Sequence, residues 1–272
     1  MQPPLVSIIM PSFNSADYIA DSIESILAQT FQDWELLITD DCSTDGTQQI
    51  LEQYAVQDTR IRIFLMEENQ GSGHTRNKCL EEANGRYIAF CDSDDRWLPE
   101  KLEKQIAFMQ EHNYAFTFSS YYTCNETGTI NGIVIAPEKQ TLVNTKRDDK
   151  IGFLTAIFDT QRCPKMLMPI QRKRQDWAYV LMIHQQVGNA YAMTEPLAIY
   201  CLHENSISHN KWSLVKYNAA VYGEVFGYSK LKSFAYLATF FLPTYFVKRI
   251  KNKINNRRYR QLWQEFAVQQ SS

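Results

Sequence analysis

Short apolar runs alternate with longer amphipathic stretches over the first 112 residues. Four runs rich in β-branched residues, at 5–10, 34–39, 61–65 and 87–91, predict buried strands. Pro11 is expected to end the first of them. The stretches between the runs carry apolar residues three and four positions apart, which predicts helices. Strands and helices alternating at this spacing predict an α/β fold with a mostly parallel sheet flanked by helices.

The pattern is less regular after residue 112. Strands are predicted at 115–122, 130–135 and 197–202, and a helix is predicted to open near Asp176. The polar segment 136–152 is interpreted as either a mobile loop or a flap over the site, and the pattern does not choose between them.

Charge is unevenly distributed along the chain. The 272 residues have a net charge of −2 and an ordinary globular composition, so nothing global indicates a nucleic-acid partner. From Lys230 onward, however, nine Lys and Arg residues face one acid, Glu265, a local net of +8 that leaves −10 for residues 1–229. Such asymmetry predicts a basic tail with an acidic partner.

The tail also carries an apolar stretch. Residues 233–247 are uncharged but too short to span a bilayer, and Pro243 interrupts them before the cations of 248–260. This pattern favours a helical segment at 230–260 that lies on an anionic membrane surface. The alternative is a C-terminal helix packed on the rest of the chain, with a solvated basic end.

The cysteines and the amino terminus bear on the compartment. The six cysteines are scattered without a Cys-x-x-Cys pair, and Cys79 and Cys91 lie among apolar residues, as reduced core thiols do. Residues 1–7 lack the basic start and apolar run of a signal peptide. Both observations favour a reducing, cytoplasmic location.

Three carboxylates follow the fourth predicted strand. Asp92, Asp94 and Asp95 repel one another and are costly to desolvate without a cation. Hard oxygen ligands suit Mg²⁺ or Mn²⁺, which in turn suit a diphosphate. The alternative is a solvated acidic turn that caps the next helix.

Polar loops at the ends of neighbouring strands decide between these two interpretations. Asp41 follows the second strand and the loop of Arg76 follows the third, so both should share one rim of the sheet with the acidic cluster. Ligands of open α/β sheets bind at that rim. The sequence therefore predicts a nucleotide-diphosphate site.

Four motifs in this order resemble those of the family 2 glycosyltransferases. They are Val-Ser-Ile-Ile-Met-Pro-Ser-Phe-Asn at 6–14, Asp-Asp-Cys-Ser-Thr-Asp-Gly-Thr at 40–47, Gly-His-Thr-Arg-Asn at 73–77 and Asp-Ser-Asp-Asp at 92–95. The resemblance covers residues 5–112 and extends more loosely to about 210. It implies the GT-A fold and an inverting, metal-dependent transfer from a nucleotide-sugar, usually UDP-linked, to a saccharide.

The resemblance also implies a setting. Relatives of this size build bacterial surface polysaccharides on lipid carriers, which implies a lipid-linked acceptor and a peripheral position on the inner face of the cell membrane. It divides the chain into a nucleotide-sugar-binding half (1–112), an acceptor-binding half (113–210) and a C-terminal helical extension (211–272).

The resemblance assigns site residues position by position. Asp41 would accept a hydrogen bond from the base, Asp94 would hold Mn²⁺ or Mg²⁺, and Arg76 would face the sugar or diphosphate. The nucleotide-sugar-binding set is Pro11, Phe13, Asp41, Arg76, Asp92, Ser93 and Asp95. Many relatives have Thr or Tyr where Pro11 and Phe13 stand, so the resemblance leaves the exact base contact open.

Asp176 matches the general base of the family. Relatives carry an acid–Asp pair that opens a helix, and this chain has Gln175-Asp176. The alternative is that Asp176 only caps the helix. His203 matches a position where some relatives place a metal- or diphosphate-contacting His, although a lone His at a strand end is often an ordinary surface or core residue.

Two other functions fit parts of the sequence. A nucleotidyltransferase also needs an acid-bound metal, but it should carry a glycine-rich basic loop near the amino terminus, and residues 11–14 are not one. A degenerate relative that binds a nucleotide-sugar or a membrane without turnover is the non-enzymatic alternative, and the retained Asp94 and Asp176 argue against it.

Overall fold

A computed structural model describes residues 3–202 and 211–271. The strands are β1 Val6–Ser12, β2 Trp34–Asp40, β3 Ile61–Leu65, β4 Tyr87–Phe90, β5 Arg96–Trp97, β6 Phe116–Cys124, β7 Ile130–Val134, β8 Lys139–Gln140, β9 Ile157–Asp159 and β10 Ala190–Cys201. The helices are α1 Ile19–Leu27, α2 Thr47–Gln57, α3 Ser72–Glu82, α4 Lys101–Glu111, α5 Leu142–Arg147, α6 Gln175–Val187, α7 Lys211–Phe226, α8 Lys230–Tyr236, α9 Leu242–Arg258 and α10 Arg260–Ser271. A 3₁₀ turn covers Phe153–Thr155, and a π-helical turn covers Leu237–Phe241.

One twisted sheet organises the chain. Its order is β3-β2-β1-β4-β9-β6-β10-β5, with β7 beside β6 and β8 beside β10. The first four strands are parallel, which confirms the predicted α/β class. The second half is mixed, because β9 runs antiparallel to both β4 and β6 while β10 is parallel to β6. The strands β1, β2, β4, β6 and β10 therefore end at one rim.

Helices cover both faces of the sheet. Ile8 packs in a core with residues of α1 and α4, whereas its neighbour Ile9 packs in a second core with residues of α3 and α6. Successive side chains of a strand point to opposite faces, so a strand covered on both sides must be apolar at nearly every position. This is why β1, β2 and β4 are mostly apolar, whereas the edge strand β3 is only partly buried and carries Arg62.

The expectation that Pro11 ends β1 was wrong. The strand continues to Ser12, whose carbonyl accepts from Asp41 N at 2.8 Å on the β2 side. The backbone groups of successive strand residues point to opposite neighbours, so Pro11 faces β4 together with Ile9. The carbonyl of Ile9 accepts from Cys91 N at 3.1 Å. Because β4 has already ended there, the missing N–H of Pro11 costs no ladder hydrogen bond.

Two boundaries in the second half also differ from the prediction. Segment 136–152 is structured in part, since it contains β8 and α5, and Thr141 caps α5 by accepting from Asn144 N at 3.2 Å. The last strand begins at Ala190, not at 197, and its register shifts on either side of Pro196. That irregularity hides the start of the strand from a periodicity argument.

One face of the C-terminal extension packs on the rest of the chain. Tyr222 and Leu237 cluster with Trp177 of α6, and Phe266 of α10 stacks on Tyr122 of β6 with ring centroids 4.1 Å apart. For this face, the alternative of a C-terminal helix packed on the rest of the chain is therefore confirmed. No helix between residues 3 and 202 or between 211 and 271 is apolar over a length that would cross a bilayer.

The cysteines divide into two groups. Cys79 and Cys91 are buried free thiols, as the sequence indicates. Cys124 and Cys201, for which no partner was predicted, face each other on β6 and β10 with Cα atoms 4.8 Å apart, a separation that a disulfide can span. Parallel pairing of the two strand ends brings these distant cysteines together.

Candidate active site

A cleft of about 520 Å³ opens at the rim where β1, β2 and β4 end. It brings together most of the residues that the sequence assigns to the site. These are Pro11, Phe13, Asp41, Arg76, Asp92, Ser93, Asp94 and Asp176. Both halves of the chain supply its walls.

Asp41 is fixed at the end of β2. Its two carboxylate oxygens accept from Gln70 N at 2.8 Å and Gly71 N at 2.7 Å, and only 3% of the residue is exposed. Gly71 has φ +91, which a residue with a Cβ rarely adopts. Each oxygen retains a second lone pair, so Asp41 holds the loop before α3 and still presents an acceptor to the cleft.

Arg76 and Asp92 form an ion pair of 2.5 Å across the floor of the cleft. Arg76 is 7% exposed and lies 5.5 Å above the ring of Phe153. Burial lowers the pKa of Arg76, but the charge and hydrogen bond of Asp92, together with the charges of Asp176 and Asp94, outweigh burial and leave that pKa raised. One oxygen of Asp92 is thus already committed to a fixed cation.

Ser93 anchors the acidic loop to α1. Its hydroxyl lies 2.8 Å from Ser15 Oγ, and its carbonyl accepts from Ser22 Oγ at 2.8 Å. The next residue, Asp94, lines the cleft and also a neighbouring cavity of about 470 Å³ beside the β6–β7 turn. Asp94 can therefore be reached from both cavities.

Asp95 behaves differently from the other two acids. It is 1% exposed, does not line the cleft, and accepts from Cys201 N at 3.2 Å. Burial, followed by the charges of Asp94 and Asp92, raises the pKa of Asp95 well above its ordinary value. The side chain ties the acidic loop to the end of β10.

Asp176 lies in the first turn of α6 with its side chain in the cleft. The N-cap of α6 is Arg174, with φ +68, and no side chain caps the helix. The alternative role of Asp176 as a cap is therefore not what the structure shows. Gln175 stands where the resemblance to family 2 glycosyltransferases implies an acid. It is buried and hydrogen-bonds Ser72 of α3. It joins α6 to the donor side of the cleft.

The cleft contains residues that the sequence argument did not select. They include Ser12, Tyr18, Glu126, Arg172, Lys173, Arg174 and Tyr200. Ser12 is 2% exposed, and its Oγ has no hydrogen-bond partner among the described residues. The run of three cations just before Gln175-Asp176 was a visible signal for Arg172–Arg174. His203 lies outside the described residues.

The carboxylates suit a divalent ion that arrives with its ligand. Within residues 3–202 and 211–271, no cluster of three or more acidic, His or Cys side chains forms a ready-made metal site. Mg²⁺ is commonly bound by one or two carboxylates together with substrate phosphates. Asp94, with Asp92 beside it, fits that arrangement.

Two named proteins are similar to this chain in sequence over most of their length. TuaG of Bacillus subtilis (strain 168), a glycosyltransferase named for teichuronic acid biosynthesis, is 46% identical over 223 residues, covering 82% of this chain and 88% of TuaG. WfgD of Escherichia coli, named as a UDP-Glc:α-D-GlcNAc-diphosphoundecaprenol β-1,3-glucosyltransferase, is 36% identical over 225 residues, covering 82% of this chain and 87% of WfgD.

A solved structure shares the fold. S. aureus TarS 1–349 in complex with UDP-GlcNAc superposes with a TM-score of 0.66 at 22% identity, over 86% of this chain and 73% of that one. The model of "Glycosyl transferase family 2" matches residues 7–167, which span β1 to β9 and the acidic loop. The cleft and its carboxylates agree with this match and with the relatives. The chain therefore belongs to glycosyl transferase family 2.

Proposed function

We propose that the protein transfers a sugar from a UDP-sugar to a saccharide carried on a lipid, in the synthesis of a surface polysaccharide. The observation that carries the proposal is the single cleft in which Asp41, Arg76, Asp94 and Asp176 meet. The names of WfgD and TuaG support the donor, the lipid-linked acceptor and the polysaccharide product.

The donor lies along the rim in this proposal. The base contacts Pro11 and Phe13 and donates to the free lone pair of Asp41. Asp92, held by Arg76, contacts the ribose or sugar, and the loop that Ser93 anchors keeps these groups in place. Asp95 contributes by fixing the acidic loop through its hydrogen bond from Cys201 N. His203 is a further candidate to contact the metal or the diphosphate.

Asp176 acts as the general base. It takes the proton of the acceptor hydroxyl while the hydroxyl oxygen bonds to the anomeric carbon, and the bond from that carbon to the diphosphate breaks with its electron pair on the phosphate. Attack opposite the leaving group inverts the anomeric configuration. Mn²⁺ or Mg²⁺ held by Asp94 would neutralise charge on the departing diphosphate.

The setting is a membrane surface. We infer that segment 230–260 binds the anionic inner face of the cell membrane, where a lipid-linked acceptor is within reach. Leu231, Val247, Ile250 and Ile254 expose 51% or more of their surface in this basic segment, which supports the inference. In this arrangement 1–112 binds the donor, 113–210 the acceptor and 211–272 the membrane.

Nucleotide release tests the proposal. The purified chain is incubated with UDP-, GDP- or dTDP-sugars and a membrane lipid extract, with Mn²⁺ or Mg²⁺ and with or without EDTA. We expect release of UDP from one donor, abolished by EDTA and by Asp94→Ala. Full turnover in EDTA or in Asp94→Ala would overturn the metal assignment.

The same assay separates the alternatives. A nucleotidyltransferase would release pyrophosphate from a nucleoside triphosphate and a sugar phosphate, and no UDP from a UDP-sugar. A binding-only protein would bind UDP-sugar tightly and release no nucleotide with any donor and extract.

A further inference from the structure

Three consecutive cations lie on the wall of the cleft next to the candidate base. Arg172, Lys173 and Arg174 line the same cavity as Asp94, and only Gln175 separates them from Asp176 in the chain. We name them the cationic loop. Neither the family motifs quoted above nor the mechanism just described uses them.

The backbone of the loop has an unusual conformation. Arg174 has φ +68, in the left-handed region that residues other than Gly, Asn and Asp seldom adopt. Its carbonyl opens α6 by accepting from Ala178 N at 3.0 Å, and also accepts from Gln171 Nε2 at 3.2 Å. Such conformations are unfavourable and concentrate at functional sites.

Buried donors in the cleft lack acceptors. Arg174 Nε and Arg76 Nε are buried without a hydrogen-bond partner among the described residues, and so is Ser12 Oγ. A buried N–H left without an acceptor is unfavourable. Arg174 and Arg76 both line the cleft, and guanidinium groups match phosphate geometry well.

Charge points to the same ligand. The walls already carry the carboxylates of Asp41, Asp92, Asp94 and Asp176, whereas the cation of Arg76 is paired with Asp92. A nucleotide-sugar brings about two negative charges, and the departing nucleoside diphosphate gains roughly one more at neutral pH. That additional charge appears on the terminal phosphate, so a cation is most useful beside it.

We propose that the cationic loop binds the terminal phosphate of the leaving nucleoside diphosphate, with Arg174 as its direct ligand and Arg172 and Lys173 adding charge. The inference rests on the proposed function. The first turn of the 13-residue helix α6 has no side-chain cap, and N–H groups at the start of a helix favour an anion. One short segment then supplies both the base and the cations that stabilise the leaving group.

Comparing UDP with UMP isolates the terminal phosphate. Calorimetric titration of the full chain with each nucleotide, in EDTA and in Mg²⁺, gives the ratio of the two affinities. We expect wild type to prefer UDP. Arg174→Gln and the triple variant R172Q/K173Q/R174Q should weaken UDP binding about 10- to 100-fold, as loss of charge-assisted hydrogen bonds does, and change UMP binding less than about twofold.

Arg162→Gln is the matched control, because Arg162 is exposed and bonds Asn113 outside the cleft. It should keep the wild-type ratio. Thermal unfolding of each variant checks that the fold is retained.

Each outcome has a distinct meaning. If wild type prefers UDP and the triple variant keeps the full preference, the cationic loop does not hold the terminal phosphate, and the proposed function stands. Equal loss of UDP and UMP binding in a folded variant also overturns the inference, because the loop would then shape the whole cleft. If wild type binds neither nucleotide, the proposed function itself fails.

Discussion

At the scale of single residues, the position of Asp176 makes its role testable. It lies in the first turn of α6, where a negative charge gains about 0.3–1 kcal/mol from the helix dipole, and it caps nothing. Asp176→Asn should therefore cost little stability. It should lower the transfer rate by about 10²-fold or more, because an amide cannot accept the proton of the acceptor.

The measurement is the initial rate of UDP release, alongside UDP affinity, which should not change. Glu52→Gln, an exposed carboxylate on α2, is the control for loss of one negative charge. An Asp176→Asn enzyme within about threefold of the wild-type rate would remove the base assignment.

Lys101 is a residue whose charge the fold tolerates poorly. It is fully buried at the start of α4, its Nζ lies 3.9 Å above the Trp97 ring, and that Nζ has no hydrogen-bond partner among the described residues. Burial lowers the pKa of Lys101 to about 7, against a smaller opposing effect of Cys91. Lys101→Met should stabilise the protein by about 1 kcal/mol or more at pH 7.

The gain should depend on pH. Between about pH 7 and the unfolded-state pKa of about 10.4, the unfolded chain holds a proton on Lys101 that the folded chain has released, so wild-type stability rises with pH. The advantage of Lys101→Met should therefore shrink from pH 7 to pH 9 in urea unfolding. Lys104→Met, on the same helix with ion pairs to Glu100 and Glu195, should give neither gain nor trend.

Comparison of neighbouring residues shows how far the sequence defines the site. The motif order placed Asp41, Arg76 and Asp94 in one cleft, because parallel strands must end at one rim. It assigned Asp94 to the metal and Asp95 to the nucleotide-sugar, but it could not show that Asp95 is buried, since that depends on the turn of the loop and the bond to Cys201 N. The orientation of the cationic loop likewise depends on the backbone of Arg174 and not on composition.

At the scale of elements, the C-terminal helices support α6. Tyr222 of α7 contacts the Trp177 ring edge-on at 5.5 Å between centroids and donates to Lys146 O at 2.9 Å. Trp177 Nε1 in turn donates to Thr145 O at 2.9 Å. The residue after the candidate base is thus held by α5 and by the extension together.

Removing that contact should affect turnover more than nucleotide binding. Tyr222→Ala should destabilise the protein by about 3–5 kcal/mol through the cavity it leaves, and it should lower the rate because α6 is less well fixed. Tyr222→Phe keeps the ring and should cost only about 1 kcal/mol. Tyr217→Ala, a partly exposed position on the same helix, is the control. Equal rates for the Ala and Phe variants, measured below their unfolding temperatures, would show that the extension does not position α6.

Hydrophobic periodicity predicts some secondary-structure elements and misses others. The strands β1 to β4 were predicted within two residues at each end, because burial on both faces leaves a local apolar signature. The short strand β9 and helix α5 carry too few residues for a period to be seen, and the partners of both lie far away in the chain. Docking of the extension on α6 depends on such distant contacts as well.

At the scale of the whole molecule, the charge is arranged in two parts. Residues 1–229 carry a net −10 and the remainder +8, so an anionic surface repels the catalytic part and attracts the extension. On α9, spacings of three and four residues align Val247, Ile250 and Ile254 in one exposed stripe, with Lys251 and Lys253 on either side of it. At the membrane surface that we propose, this arrangement would orient the molecule with α9 toward the bilayer.

We therefore expect the full chain to sediment with phosphatidylglycerol vesicles, not with phosphatidylcholine vesicles, and less as salt increases. K251Q/K253Q/R257Q should weaken binding about tenfold or more, because each cation near the surface contributes about 1 kcal/mol. K78Q/K139Q/R162Q removes the same charge from the catalytic part and should leave binding unchanged. Equal weakening by both triple variants would show that total charge, and not α9, drives the attraction. Failure of wild type to bind either vesicle would mean that the stripe on α9 serves another partner.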